Sequence, residues 1–292
     1  MKSFIPTPSH SAVAFGPFTL HFYALCILLG VIAAILIGRA RYRDIGGNPD
    51  EITDIAVFAI PAGVIGGRLY HVVTSPQRYF GKGGHPLDAI KIWDGGMGIW
   101  GAIALGTLVA YFVFRSKARS ASFAHFADAL APGLLVAQGI GRIGNWFNGE
   151  LFGRPTDLPW GLEIPQQLRP LGFEKFSTFH PTFLYEALWC FLCAAVLIYL
   201  TPRFKARPGN IFYAYIALYC LGRSGTEYLR IDAAAHIFGL RLNQWVSLGG
   251  LISAVFTLLR SRALERLEGN ESEGNESEGN ESEGNESEGE VD

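Results

Sequence analysis

The sequence predicts an all-α integral membrane protein with about seven transmembrane helices and an outward-facing head inserted between the fourth and fifth spans. The chain is 49% hydrophobic and only 17% charged. Its apolar residues come in blocks rather than in the amphipathic periods of soluble helices. Several blocks approach the ~20 residues that a helix needs to cross a bilayer. Together these observations place the chain among polytopic membrane proteins.

Seven apolar spans can be drawn, at residues 18–38, 52–71, 97–114, 123–141, 183–201, 210–223 and 243–260. The sixth is short, and its continuation to Arg230 is amphipathic. Met1–Ser11 lacks the pattern of a cleavable signal peptide, so we expect the first span to be retained as an anchor. We assign residues 1–267 to one transmembrane domain.

Basic clusters follow every second span and predict the orientation of the chain. They comprise Arg39/Arg41/Arg43, Arg115/Lys117/Arg119, Arg203/Lys205/Arg207 and Arg260/Arg262/Arg266. By the positive-inside rule, the N-terminus lies outside and the C-terminus lies in the cytoplasm. Total Lys plus Arg is equal on the two sides, so this prediction rests on the clustering.

Two segments lie outside the spans. The stretch at 145–181 is rich in Gly and Pro and predicts an outward head rather than a simple loop. Residues 268–292 carry a GNESE repeat with eleven of the 26 acidic residues and no Lys or Arg. We expect this tail to be a disordered, solvated cytoplasmic spacer without a catalytic part. Because the tail holds so many acids, the net charge of −2 conceals a basic body.

A polar stretch, Gly139–Arg154, follows the fourth span and predicts a functional site. Polar groups are costly in hydrocarbon, so clusters of them there usually serve a function. Close helix packing would explain the glycines of this stretch. It does not explain the polar residues, which are Arg142, Asn145, Asn148, Glu150 and Arg154.

A second polar group lies near the sixth span. The i, i+4 spacing places Tyr219, Arg223 and Glu227 on one helical face, and Arg230 follows. A purely structural Arg–Glu pair is the alternative, because charges in membranes pair with one another. Glu186, at the start of the fifth span, is a further candidate partner for an arginine.

Two weaker signals complete the candidate site. His21 and Tyr23 lie at the outer end of the first span, where an interfacial aromatic belt is an equally good interpretation. Gly95 and Gly96 precede the third span. They would permit close approach of a ligand or form a tight turn, and the fragment alone favours the turn.

These arginines predict an anion site. Guanidinium groups bind phosphate through paired hydrogen bonds, and a phospholipid headgroup is the anion most available at that depth. The sequence has no P-loop, no convincing metal-ligand set and no Ser-His-Asp pattern, and we expect neither metal nor cofactor. A transporter or binding protein for an anionic lipid or solute is the alternative. The chain shows none of the internal symmetry expected of inverted-repeat transporters.

The motif GRIGNWFNGELFGR at residues 141–154 resembles the signature of bacterial prolipoprotein diacylglyceryl transferases. The resemblance covers nearly all of residues 15–262. Its other pieces are His21-x-Tyr23, Gly66-Gly-Arg68, Trp93-Asp-Gly-Gly-Met97, His180-Pro, Tyr185-Glu186 and Arg223-x-x-x-Glu227-x-x-Arg230. That family moves the diacylglyceryl group of phosphatidylglycerol to the lipobox cysteine thiol of a prolipoprotein, forming a thioether and releasing glycerol phosphate.

The resemblance implies a bacterial inner-membrane location and a set of functional residues. Its partners would be phosphatidylglycerol, the lipobox segment and membrane lipid, with no nucleic acid. Arg142 and Arg223 would hold the phosphate, and Glu227 would position Arg223. The implied catalytic residues are Arg142, Arg223, Glu227, Tyr23 and His21. The implied phosphatidylglycerol ligands are Arg142, Asn145, Asn148, Glu150, Arg154, Tyr219, Arg230, Gly95, Gly96 and Glu186.

One position departs from the family pattern. Many members carry a histidine, often discussed as the base, where this chain has Trp100. An indole N–H donates but does not accept a proton. Either His21 or another group accepts the thiol proton, or the cationic cavity favours the thiolate without a dedicated base. We favour the second interpretation, because the departure leaves the arginines in place.

Overall fold

The computed structural model describes residues 4–16, 18–117, 120–201, 206–232, 234 and 236–286. Over these residues the chain is mainly helical. The eight α-helices are α1 (Phe22–Asp44), α2 (Pro49–Thr74), α3 (Gln77–Phe80), α4 (Ile99–Lys117), α5 (Phe123–Asn148), α6 (Thr182–Leu200), α7 (Asn210–Leu229) and α8 (Leu242–Glu286). Two short 3₁₀ turns, Pro86–Ile90 and Ile92–Asp94, lead into α4.

Six of these helices are long and apolar enough to cross a membrane, among the described residues. They are α1, α2, α4, α5, α6 and α8, which confirms a multi-pass membrane protein. The helix α7 is 20 residues long, but it is not among the six. Its tyrosines and the charged Arg223 and Glu227 lower its hydropathy, so the predicted count of seven spans is not confirmed.

Local sequence signals explain where several helices begin and end. Asn48 accepts a hydrogen bond from the N–H of Asp50 and caps α2, and Pro49 occupies its first turn. Ser122 caps α5 in the same way through the N–H of His125. Gly149 ends α5 in the left-handed conformation, with φ at 59°. The helix therefore continues past the predicted end at residue 141, through the polar motif.

Close contacts between glycines and neighbouring helices set the packing. The helix α5 packs against α1, α6 and α7, while α4 packs on α2 and α8 packs on α7. A Cβ placed on Gly133 would lie 2.9 Å from the carbonyl oxygen of Ala34, so α1 and α5 touch through their backbones. At the α2–α4 contact, a Cβ on Gly66 would collide with the carbonyl oxygen of Gly101. Small residues permit this approach, as expected for membrane helices.

A side chain of α5 also positions the start of α7. The Asp128 carboxylate accepts hydrogen bonds from the backbone N–H of Gly209, at 2.6 Å, and of Phe212, at 2.8 Å. These N–H groups have no partner within their own helix, so the carboxylate satisfies them from a neighbouring one. The contact fixes α7 against α5.

The segment between α5 and α6 is structured. Strands β4 (Leu162–Glu163) and β5 (Thr178–Phe179) are antiparallel, and the N-terminal strand β1 (Ile5–Pro6) adds to β4 in parallel. Their buried side chains form one apolar cluster, made of Phe152, Leu162, Ile164, Phe179 and Phe183. Two hairpins complete the strands, β2 (Ala12–Phe15) with β3 (Phe18–His21) and β6 (His236–Ile237) with β7 (Leu240–Arg241).

The last helix, α8, runs to Glu286 and so continues beyond its apolar span, which ends at Arg266. The sequence predicts disorder from residue 268, because the repeat is acidic and poor in apolar residues. Disorder of the tail in solution stays a prediction, and residues 287–292 lie outside the described residues. Of the basic clusters used for orientation, Arg119, Arg203 and Lys205 also lie outside them.

We expect Gly66→Ala to lower the thermal unfolding temperature of the detergent-solubilised protein. The new methyl group would collide with Gly101 and lie within 2.6 Å of the Cβ of Leu105. Overpacking of this kind costs about 1–3 kcal/mol, more than the helix propensity that alanine gains over glycine. Gly249→Ala is the matched control, because nothing lies within 4 Å of a Cβ at that helical position. Equal unfolding temperatures for the two variants would contradict the packing described for α2 and α4.

Candidate active site

One carboxylate joins three helices at the centre of the site. Glu186, in the second turn of α6, contacts Arg142 of α5 through Oε2, at 2.6 Å from Nε. Its other oxygen, Oε1, lies 2.8 Å from Nη1 of Arg223 on α7. The Glu186 side chain is only 8% exposed. Buried charges need such pairing, because desolvation of an unpaired ion costs several kcal/mol.

A second carboxylate, Glu227, fixes the other side of Arg223. The two residues are one helical turn apart on α7, and Nη2 of Arg223 lies 2.7 Å from Oε2 of Glu227. Glu227 is completely buried, at 0% exposure. Its other oxygen contacts Nε of Arg241 at 2.8 Å and accepts a hydrogen bond from Asn243 at 3.2 Å. The pairing inferred from the i, i+4 spacing is therefore present, within a larger network.

That network continues through residues that the sequence analysis did not select. Arg241 contacts both Glu227 and Asp232, and Asp232 also pairs with Arg230 at 2.7 Å. Burial raises the pKa of the Asp232 carboxyl, but the pairing with Arg230 and the charge of Arg241 outweigh it, so the net pKa is lowered. The stabilisation that this pairing gives is present above the ordinary aspartate range and is lost as the pH falls through the lowered pKa. The i, i+2 spacing of Arg230 and Asp232 is the local sequence signal that could have indicated their pairing.

The end of α5 carries a second polar group beside the arginines. Asn145 is buried, and its amide donates to Oε1 of Glu150 at 3.0 Å. Asn148 donates to the same oxygen at 2.8 Å. Nη1 of Arg142 donates a long hydrogen bond of 3.5 Å to the side-chain oxygen Oδ1 of Asn145. Tyr23 interacts electrostatically with both Glu150 and Arg142. The structure thus brings these five predicted residues together.

A small cavity opens between α6 and α7 beside the ion pairs. Tyr219 lines it and also interacts with the Arg142 guanidinium. The other lining residues are Glu186, Trp189, Cys190, Gly222 and Arg223. Because Glu186 and Arg223 both line this cavity, the contact between them lies at its wall.

Two predicted residues lie away from the ion-pair network. The Arg154 guanidinium lies 4.6 Å from the centre of the Tyr228 ring, in a cation–π contact, and its residue is exposed. His21 is exposed at the junction of β3 and α1 and makes no side-chain capping bond to the helix. Their assigned roles in the site stay predictions.

Gly95 and Gly96 lie outside the ion-pair network and are held by hydrogen bonds from Arg68. Both have positive φ angles, 76° and 77°, and their carbonyl oxygens accept hydrogen bonds from the buried Arg68. Arg68 also donates to the carbonyl oxygens of Asp88 and Ala89. The turn interpretation of these glycines is therefore right for the fold, and their contact with phosphatidylglycerol stays a prediction. Trp100, in the first turn of α4, is partly exposed.

His180 lies beside aromatic side chains at the start of α6. Its Nδ1 is 3.2 Å from the hydroxyl of Tyr185, which also accepts a hydrogen bond from the Trp160 indole at 3.0 Å. Burial lowers the pKa of the His180 imidazole below its usual value. A neutral ring in this position supports the fold of the segment that precedes Glu186.

The ion-paired side chains together carry a net positive charge. Four arginines and three carboxylates are joined by ion pairs, namely Arg142, Arg223, Arg230, Arg241, Glu186, Glu227 and Asp232. This chain of contacts carries one positive charge more than it carries negative charges. In a low-dielectric setting, an excess cation attracts an anion strongly.

The fold and this network define a polytopic membrane protein whose helices α5, α6 and α7 are joined by buried ion pairs. The family model described as prolipoprotein diacylglyceryl transferase matches residues 10–260. The chain belongs to this family of transferases, which confirms the resemblance of its motifs.

Curated relatives agree with the family model. The chain is 49% identical over 259 residues to phosphatidylglycerol–prolipoprotein diacylglyceryl transferase 2 of Streptomyces coelicolor, covering 89% of this chain and 81% of the relative. It is 49% identical over 255 residues to the transferase of the same name from Cutibacterium acnes, covering 87% and 86%. The corresponding protein of Corynebacterium diphtheriae is 45% identical over 271 residues, covering 88% and 95%. These names do not favour the transporter alternative.

We expect Arg241→Gln to destabilise the protein by about 3 kcal/mol, because it removes a partner from a fully buried carboxylate. Thermal unfolding in detergent would measure the loss. Arg154→Gln is the control, since its exposed cation–π contact contributes less than about 1 kcal/mol. If the two variants unfold at the same temperature, the Arg241–Glu227 pair does not stabilise the fold.

Proposed function

We propose that this chain transfers the diacylglyceryl group of phosphatidylglycerol to the lipobox cysteine thiol of prolipoproteins. The sulfur attacks a glyceryl carbon, a C–S thioether bond forms, and the C–O bond to the phosphate breaks. Glycerol phosphate leaves with the bonding electron pair, and the thiol proton leaves with it or passes to a base. Family membership and the names of the relatives support this reaction.

The single observation that carries the proposal is the pair of arginines held on one carboxylate at a cavity wall. Arg142 and Arg223 contact the two oxygens of Glu186, so together they offer donors to a group that has two acceptor oxygens. A phosphodiester presents two such oxygens and one negative charge. Charge-assisted hydrogen bonds to the phosphate stabilise the leaving group as its charge grows.

The remaining predicted residues take supporting roles. Glu227 holds Arg223 in position, while Asn145, Asn148 and Glu150 order the end of α5 next to Arg142. Tyr219 lines the cavity, and Tyr23 interacts electrostatically with Glu150 and Arg142. Arg230, paired with Asp232, supports the network rather than presenting a free guanidinium to the lipid. The proposed chemistry uses positioning and charge and requires no resident metal or cofactor.

The proton acceptor follows from the same charges. A guanidinium group close to the incoming thiol favours the thiolate, so the lipobox cysteine is activated without a dedicated base. This fits a chain that has Trp100 in place of the family's histidine. His21 is the competing candidate, and its exposed position at the start of α1 leaves it reachable by solvent.

The proposed setting is the bacterial inner membrane, with the N-terminus outside and the C-terminus in the cytoplasm. In this topology α7 is the sixth of seven crossings, and its charged residues contact α6 and α8 rather than lipid. Residues 145–181 form the outward head. Residues 1–267 make the catalytic domain, and the acidic tail is a cytoplasmic spacer.

We expect Arg142→Ala and Arg223→Ala each to reduce transfer at least 100-fold, because each removes a charge-assisted contact to the leaving phosphate, an effect of about 2.7–4 kcal/mol. The assay incubates purified protein with phosphatidylglycerol and a lipobox peptide, and mass spectrometry detects a gain of one diacylglyceryl unit. Arg78→Ala is the control, because this exposed arginine on α3 lies outside the candidate site, and it should lose far less. Wild-type transfer by both arginine variants would overturn the assigned roles. No mass gain with the wild-type protein would favour a lipid-binding or transport protein.

We expect the pH–rate profile of His21→Asn to keep the shape of the wild-type profile. Free histidines titrate near pH 6–7, so a histidine base would place a limb of the profile in that range. Disappearance of such a limb in the variant would make His21 the proton acceptor.

A further inference from the structure

We infer that Glu186 is a displaceable counter-anion, which occupies the position of the substrate phosphate in the empty site and returns to expel glycerol phosphate. The inference rests on the proposed function, since it concerns the same two arginines. It assigns Glu186 a role in binding and release rather than direct contact with the lipid.

The first support is geometric mimicry. The carboxylate places its two oxygens 2.6 Å from Nε of Arg142 and 2.8 Å from Nη1 of Arg223. Two non-bridging oxygens of a phosphodiester have the same charge and the same acceptor character. Because guanidinium donors have fixed directions, the phosphate and the carboxylate compete for the same hydrogen bonds.

The second support is the contrast between the two glutamates. Glu227 is fully buried and is held by Arg223, Arg241 and Asn243 together. Glu186 lines the cavity, and its two ion pairs within the described part of the chain are to the arginines that the phosphate would use. Glu227 therefore keeps Arg223 in place when Glu186 moves, so one carboxylate is fixed and the other can leave.

The third support is the change of charge during the reaction. The ion-paired residues carry one excess positive charge, which a phosphodiester monoanion neutralises. The departing glycerol phosphate can carry two negative charges. A carboxylate that lies beside the product repels it and replaces it on the arginines, so the site is reset without a conformational change of the helices.

The test measures binding of sn-glycerol 1-phosphate to the detergent-solubilised protein by calorimetry. We expect Glu186→Gln to bind it about tenfold more tightly than the wild type, a change equal to ~1.4 kcal/mol. The same variant should show a lower kcat with accumulation of bound product. Weaker or unchanged binding in Glu186→Gln would overturn the inference and make Glu186 a residue that only positions the arginines.

Asp232→Asn is the matched control, because it removes one negative charge from the same network without contact to Arg142. We expect it to tighten product binding by less than threefold. Equal tightening in the two variants would attribute the effect to net charge and overturn the displacement.

Glutamine keeps one side-chain oxygen that can still accept hydrogen bonds from the two arginines. A third variant, Glu186→Ala, removes both oxygens. In Glu186→Ala the position is open, so added formate should compete with glycerol 1-phosphate, whereas formate should have little effect on the wild type. Failure of formate to compete in this variant would contradict the inference. Arg142→Ala distinguishes a failure of the Glu186 inference from a failure of the proposed function. If it binds glycerol 1-phosphate like the wild type, the phosphate site itself lies elsewhere and the proposed function needs other residues.

Discussion

The structure depends on the need to pair ionised side chains that lie among membrane helices. Glu186 pairs with arginines of α5 and α7, and Glu227 pairs with Arg223 and with Arg241 next to α8. The two Glu186 contacts join helices whose paired residues are 37 and 44 positions apart in sequence, while the Arg223–Glu227 contact lies within α7. Because an unpaired charge would cost several kcal/mol there, the pairing constrains how four helices meet. The same contacts fix the positions of the candidate catalytic groups.

Glycines on these helices make the pairing possible. A Cβ on Gly144 would overlap the Tyr23 ring, and one on Gly139 would overlap Phe191. On α7, a Cβ on Gly222 would overlap Trp189, which lines the cavity. Each glycine lies within a few residues of a charged member of the network. The sequence suggested close helix packing for these glycines. The same close packing brings the polar residues of the motif next to their partners on neighbouring helices.

Local periodicity predicted the parts of the site that lie on one helix. The spacing of Arg223 and Glu227, and that of Arg142 and Asn145, placed each pair on one face, and the structure has both contacts. The bridge from Arg142 through Glu186 to Arg223 joins residues 37 to 44 positions apart, so no local rule could specify it. Arg241 was missed for the same reason. The apolar blocks predicted the six helices that are long and apolar enough to cross a membrane, whereas the tyrosines and charged residues of α7 lower its hydropathy below theirs.

The presence of arginine at both proposed phosphate positions follows from the two tasks of these side chains in the proposed site. Arg223 uses Nη1 for Glu186 and Nη2 for Glu227, while Arg142 uses Nε for Glu186 and Nη1 for Asn145. A guanidinium has five donors in a rigid plane, so one nitrogen can hold the fold while another meets the substrate. A lysine ammonium is a single compact charge and would have to give up its structural partner to bind a phosphate. Arginine therefore allows the site to exchange one anion for another while the helices stay in place.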